Sequence, residues 1–259
     1  MIRPQEAFRG GKAFIGFLTA GDPSLQKTEE FIVEMAEAGA DLVEIGIPFS
    51  DPIAEGPVIQ EADIRALASG ATTDAIFEMA ASVRKKVDIP LVFMTYLNPV
   101  FHYGYDRFCA RCAEAGVGGL IVPDLPFEEK DELAKVCRSH GIALVSMIAP
   151  TSEDRIRRIA AEAEGFLYVV SSMGVTGVRS EITTDIAAMT SAAAEAGNVP
   201  CAVGFGISTP QQAAEMARHA DGVIVGSAIV RIIAQYGEAA APHIRDYVKS
   251  MKAAVRQRQ

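Results

Sequence analysis

The fold is decided by a phrase that the chain uses three times: EAGADLVEI at 37–45, EAGVGGLIV at 114–122 and SHGIALVSM at 139–147. Each copy begins in a stretch of helical periodicity, passes through a glycine and runs into a short apolar segment. A glycine just past the last helical turn takes the left-handed conformation that ends the helix. A brief apolar run bounded by such a turn reads as a strand buried on both faces, as in a parallel sheet. The phrase is therefore the helix-to-strand joint of a βα unit.

Working outward from these joints, apolar runs at 13–19, 42–45, 91–96, 119–122, 143–148, 166–170, 201–203 and 222–225 give eight predicted strands. Helical periodicity fills the intervals at 28–38, 73–87, 107–115, 128–140, 153–163, 185–196, 211–219 and 239–255. Ser24, Asp106, Ser152 and Thr209 stand where helix starts want a cap. Gly39, Gly116, Gly141, Gly165 and Gly197 stand where helices stop. Eight βα units in 259 residues predict a closed (β/α)8 TIM barrel with extra short helices, such as one at 228–235. No internal boundary stands out, so residues 1–259 read as a single α/β barrel domain. An open doubly wound sheet is the alternative, but it would normally carry a G-x-G-x-x-G after its first strand, and none is there. The long segments after strands 2 (48–62) and 6 (171–184) then fall on the face where such barrels build their sites.

Composition narrows the partners. With 24 Lys plus Arg against 33 Asp plus Glu, the net charge of −9 disfavours nucleic acid and anionic membranes. No apolar run is long enough to span a bilayer, and residues 1–12 lack a signal-peptide core, so the chain is expected in the cytoplasm. Four cysteines suit reduced thiols. Cys109 and Cys112 form one C-x-x-C without the second pair that a zinc site needs, so no metal is expected.

The strand ends carry the chemistry. Small-residue turns follow strands 6, 7 and 8: Gly174 to Gly177, Gly204 to Ser208, and Gly226-Ser227. Glycines let backbone N–H groups approach an anion, and a helix opening at Ser227 would aim its N-terminus at one. Three such turns on neighbouring strands predict a phosphate site. Glu44 sits in an apolar strand, where a charge is costly unless paired or functional; a carboxyl with a raised pKa suits acid–base work. Asp51 and Glu55 follow in the loop, as a turn-forming and a loop charge on local grounds. Asp124 closes strand 4, either orienting a loop or meeting ligand, and Tyr96 and Tyr168 can face the barrel mouth. None of the eight lysines ends a strand, which argues against Schiff-base chemistry. His102, His140, His219 and His243 show no ligand spacing, with His102 in the loop after strand 3.

The block from Glu44 to Gln60, EIGIPFSDPIAEGPVIQ, resembles the tryptophan synthase alpha chain family. The likeness runs end to end, through FLTAGDP (17–23), YLNP (96–99), PDLP (123–126), GVTG (174–177), GFGIS (204–208) and GSAIV (226–230). The family implies a barrel that cleaves indole-3-glycerol phosphate to indole and glyceraldehyde 3-phosphate without a cofactor of its own. The resemblance makes Glu44 the acid–base glutamate and Glu55 the second catalytic carboxylate, where Asp is usual. That added methylene is a departure, and a displacement of about an ångström can cost roughly 100-fold in rate unless the loop compensates. It places Phe17, Tyr96, Asp124, Tyr168 and Thr176 around the substrate, and Gly177, Gly206, Gly226 and Ser227 on its phosphate. Ser172 departs from a common Arg. The family also implies a beta-chain partner in an α2β2 assembly, met by Asp51, Asn98 and Pro99, with pyridoxal phosphate held only by that partner. Other readings kept open are a non-catalytic phosphate-ester-binding regulatory subunit, a free-standing lyase and another phosphate-binding barrel enzyme.

Overall fold

The repeated phrase folds the same way each time. In the computed structural model, which describes residues 1–171, 185–204 and 206–256, Gly39, Gly116 and Gly141 have φ of +103°, +74° and +74°. Past each glycine the next N–H reaches back five residues: Ala40 to Met35 O, Val117 to Cys112 O and Ile142 to Cys137 O, all at 2.9 Å. These bonds satisfy carbonyls that a helix end would otherwise strand, and they turn the chain into the following strand.

The strands are β1 (Ala13–Thr19), β2 (Leu42–Gly46), β3 (Leu91–Met94), β4 (Gly119–Ile121), β5 (Ala143–Ile148), β6 (Leu167–Val170), β7 (Cys201–Gly204) and β8 (Gly222–Val225). All are parallel, in chain order, and β8 pairs back onto β1 at Phe14↔Val223 and Ile15↔Ile224 to close the barrel. The surrounding helices are α1 (Leu25–Glu37), α2 (Pro57–Ala68), α3 (Thr73–Arg84), α4 (Leu97–Tyr103), α5 (Tyr105–Glu114), α6 (Asp131–Ser139), α7 (Glu153–Ala161), α8 (Ile186–Ala196), α9 (Pro210–Met216), α10 (Ser227–Tyr236) and α11 (Ala241–Arg256). No described helix is long and apolar enough to cross a membrane.

Strand alternation sorts the core into two layers. Ile15, Leu42, Val92, Ile121, Val145, Ala202 and Ile224 fill the barrel. Phe14, Val43, Phe93, Leu120, Leu144, Val203 and Val223 face the helices. The short helix Pro4–Phe8 closes the floor, with the Phe8 ring 5.9 Å from that of Phe166.

Several expectations are corrected. The segment 48–62 is a loop only to Gly56, where α2 begins with Pro57 at its first position, a place that needs no N–H. Asp106 is not a cap: α5 starts from Gly104 and holds Asp106 in its first turn, where it meets His140 at 2.8 Å. The helix expected at 128–140 is a 3-10 turn (Phe127–Glu129) followed by α6. His102 lies in α4 rather than in a loop. Thr209 makes a full capping box with Gln212, as its spacing implies.

Candidate active site

The C-terminal ends of β1, β2, β3 and β8 gather around Phe17 and Glu44. Glu44 sits between Phe17 of β1 and Val92 of β3 in the sheet register. It is fully buried, and among the described residues neither carboxylate oxygen has a hydrogen-bond partner. Burial first, then the charge of Glu55, push its carboxyl up to about 8. A carboxyl so treated stays protonated at neutral pH and is ready to give up a proton. Burial first, then the neighbouring Glu44 and Glu55 carboxyls, hold the Tyr168 hydroxyl on β6 well above the ordinary range.

Two glycines make room for this packing. A Cβ at Gly46 would come within 2.7 Å of the Phe17 ring, and one at Gly204 within 2.4 Å of the Tyr168 hydroxyl. Neither ring could hold its position beside a larger residue.

The segment 48–56 brings Glu55 to the same place. It is stitched down at three points. Ala54 N–H donates to the Tyr96 hydroxyl at 2.9 Å, and the Phe49 and Tyr96 rings stand 5.4 Å apart. Gln60 Nε2 donates to the Glu55 carbonyl at 2.9 Å. Phe49 N–H donates to the carboxylate of Asp63 on α2. Glu55 is buried, and with Phe17, Asp63, Met94, Thr95 and Tyr96 it lines a narrow recess at the barrel mouth. The Tyr96 hydroxyl is pushed up by burial and then by Glu55, so it remains a neutral phenol.

Across the mouth, α10 opens at Ser227 with Gly226 as its N-cap, and a Cβ on Gly226 would press the Phe17 ring at 3.1 Å. The first N–H groups of α10 point out of the helix, the arrangement that receives a phosphate. Gly206, with φ of +80°, follows β7 beside it.

The structure thus brings Glu44, Glu55, Phe17, Tyr96 and Tyr168 together, with Gly226 against Phe17. Asp124 is turned to the protein: its Oδ1 accepts from Leu97 N–H at 2.8 Å, at the start of α4. Asp51 is exposed and accepts from Ser50 Oγ at 2.5 Å; Asn98 is exposed and Pro99 half-buried. Thr176, Gly177 and Ser172 lie outside the described residues. Asp63 was missed by sequence reasoning. Its signal was an acid on the otherwise apolar stripe Ile59, Ala62 and Ala66, legible only once α2 is recognised. Among the described residues no three His, Cys, Asp or Glu side chains are grouped to hold a metal.

Comparison with known proteins agrees with this geometry. The model of the family described as tryptophan synthase alpha chain matches residues 5–257. The tryptophan synthase alpha chain of Lactiplantibacillus plantarum is 51% identical over 249 residues, covering 96% of this chain and 94% of that one. Among solved structures, tryptophan synthase subunit alpha from Legionella pneumophila superposes with a TM-score of 0.86 at 35% identity, over 98% of this chain and 99% of that one. A chain of the tryptophan synthase a2b2 complex from Pyrococcus furiosus does so with 0.85 at 34%, over 94% and 98%. By sequence over nearly its whole length and by fold, the chain belongs to the tryptophan synthase alpha chain family.

Proposed function

We propose that this chain, as a tryptophan synthase alpha subunit, cleaves indole-3-glycerol phosphate to indole and glyceraldehyde 3-phosphate with Glu44 and Glu55 as its working carboxylates. The observation that carries the residue assignment is the state of Glu44: fully buried, without a hydrogen-bond partner among the described residues, and protonated up to about pH 8.

The reaction is a retro-aldol cleavage in which the substrate is its own electron sink. Protonation of indole C3 by the neutral Glu44 carboxyl leaves a cationic, iminium-like ring. Glu44, now a carboxylate, takes the proton of the glycerol hydroxyl next to the ring. The bond between C3 and that carbon breaks, its electron pair returns to the ring, and a carbonyl forms on the departing triose phosphate. One proton is given and one taken, so Glu44 ends as it began. Glu55 lies where its carboxylate can meet the ring N–H and stabilise the positive charge that develops there. Phe17 and Tyr168 supply the flat apolar walls an indole needs. Gly206, Gly226 and Ser227, joined by Gly177, hold the phosphate at the mouth of α10, against the chain's overall negative charge. Thr176, which follows β6 in the sequence, also acts on the substrate. Asp124 acts on the substrate side by fixing the start of α4.

The chemistry asks for no cofactor in this chain; pyridoxal phosphate belongs to a beta-chain partner, with which it forms an α2β2 assembly in the cytoplasm. Asp51, Asn98 and Pro99 meet that partner. Exposed apolar side chains at Ile53 (76% exposed) and Phe101 (67%) flank them, and such side chains are costly to leave in water.

The test is indole release from indole-3-glycerol phosphate by the purified chain, with and without a matched beta chain. Slow turnover alone and strong activation by the partner are expected. No turnover in either case, with glycerol 3-phosphate still bound, would overturn the catalytic reading in favour of a regulatory subunit and make Glu55→Asp the next variant.

A further inference from the structure

Asp63 is a buried ionisable group beside the recess that the reaction above leaves unused. It lies on the inward face of α2 between Ile59 and Ala66 and is 6% exposed. Its carboxylate accepts from Phe49 N–H, at the head of the segment that carries Glu55. It opens on the same recess as Glu55 and Tyr96.

A carboxylate so placed ordinarily has a cation beside it. The cation two residues along, Arg65, is turned instead to Asp22, with Nε–Oδ1 at 2.9 Å and Nη2–Oδ2 at 2.8 Å. Among the described residues, the main elements packed on α2 bring no cation closer. β1 has no ionisable side chain, and α10 carries Arg231 and Tyr236, both exposed. Among the described residues the groups that act on Asp63 are Glu55 and the Arg65-bound Asp22. The Tyr96 hydroxyl in turn feels Asp63, Glu55 and Asp124. Burial, then the Glu55 charge, push the Asp63 carboxyl up to about 8. Two carboxyls in one narrow, largely buried recess do not both ionise readily, and a carboxyl kept neutral is a hydrogen-bond donor as well as an acceptor.

We infer that Asp63 is a positioning residue for the cleavage: it anchors the Glu55 segment through Phe49 and presents a second, proton-bearing carboxyl to the recess, leaving Glu55 as its one negative charge. The inference rests on the catalytic reading of Glu55. It also accounts for the longer side chain at position 55, whose carboxylate has a neutral neighbour to settle against rather than open space.

Kinetics and infrared spectroscopy test it together. Asp63→Leu should lower kcat about ten-fold or more with KM within about three-fold, because the substrate's own contacts survive while the carboxylate is misplaced. Asp63→Asn, neutral and nearly the same shape, should restore most of kcat. In Glu44→Gln protein, where the Asp63 acid stands without its Glu44 counterpart, the carbonyl stretch of a protonated buried carboxyl should be present at pH 7 and vanish on adding Asp63→Asn. Adding Glu55→Gln instead should make that band titrate about one pH unit lower or more, since the opposing charge is gone. Absence of the band at pH 7, or a titration unmoved by Glu55→Gln, overturns the inference even if Asp63→Leu fails to fold. Wild-type kcat in Asp63→Leu beside an inactive Glu55→Gln overturns this inference alone. Wild-type cleavage by Glu55→Gln overturns the catalytic reading of Glu55, and this inference with it.

Discussion

Asp41, just before β2, and Glu44, three residues further along within it, are treated by the protein in opposite ways. At the floor of the barrel, Asp41 Oδ2 accepts from Phe14 N–H at 2.6 Å and from Lys252 Nζ. Lys252 Nζ donates onward to Lys12 O at 3.0 Å, and Lys12 Nζ to Ala220 O at 2.7 Å. Burial lowers the pKa of Lys252, and Asp41 draws it back up. The Asp41 and Lys252 charges are paired there, Lys12 is held by a carbonyl, and the network ties the last helix to the strands. At the mouth, Glu44 has neither a cation nor a donor among the described residues. The floor pairs its carboxylate with a cation, and the mouth keeps its carboxyl neutral by starving it. Pairing makes an anchor; starvation makes an acid that can surrender a proton, at a cost in stability.

The largest effect should come from relieving that starvation. Glu44→Gln should lower indole release about 1,000-fold or more, as loss of a general acid–base does, while glycerol 3-phosphate still binds. It should also make the protein more stable. Glu44 is raised from 4.5 to about 8 in the fold. Below 4.5 the group is protonated whether folded or not and carries no penalty. As pH rises towards 8 the unfolded chain releases the proton while the native one keeps it, so native stability falls. Gln escapes this, and the gain should grow from pH 5 to pH 8 to about 2–4 kcal/mol in urea unfolding. The wild-type rate should decline above about pH 8, where Glu44 loses its proton. A variant no more stable at pH 8 would break the comparison, because it would mean that the mouth satisfies its carboxylate after all.

The converse change comes next in size. Lys252→Met leaves Asp41 without its cation and should cost about 2–3 kcal/mol, towards the lower end for a broken buried pair because Asp41 keeps some solvent and the Phe14 N–H. Indole release per folded molecule should stay within about two-fold of wild type, since the network is remote from the mouth. A large loss of rate without loss of stability would show that floor and mouth are not separable.

The sequence displayed the barrel more openly than its site, for physical reasons. Helix-to-strand joints depend on one glycine and a local hydrogen-bond pattern, so EAGA, EAGV and SHGI announce themselves. α2 hid because its face is inverted: Asp63 is buried while Ile64 is 66% and Leu67 39% exposed, and Pro57 reads as loop when it is the first helical residue. α4 hid for its brevity and its internal Pro99. Glu44 was visible as a charge in an apolar strand. Asp63 was not, since only tertiary packing turns that position of α2 towards Glu55. Asp124 left two roles open, and the Leu97 N–H occupies one of its oxygens.

The smallest change separates the two ends most finely. Tyr96→Phe removes one hydroxyl, the acceptor of Ala54 N–H, and leaves the ring against Phe49. Losing a single neutral hydrogen bond is worth about 1 kcal/mol, and the segment 48–56 is held elsewhere by Gln60 and Asp63. Global stability should therefore move by less than about 1 kcal/mol, well short of Lys252→Met. The rate should fall further than that energy implies for folding, about three- to ten-fold in kcat, because the freed Ala54 is the residue before Glu55 and small displacements of a reacting carboxylate are strongly penalised. If Tyr96→Phe instead lowers the melting temperature and spares kcat, the Tyr96 hydroxyl belongs with the Lys252 network, as one more satisfied anchor, and the distinction between the two ends moves inward to Glu44 alone.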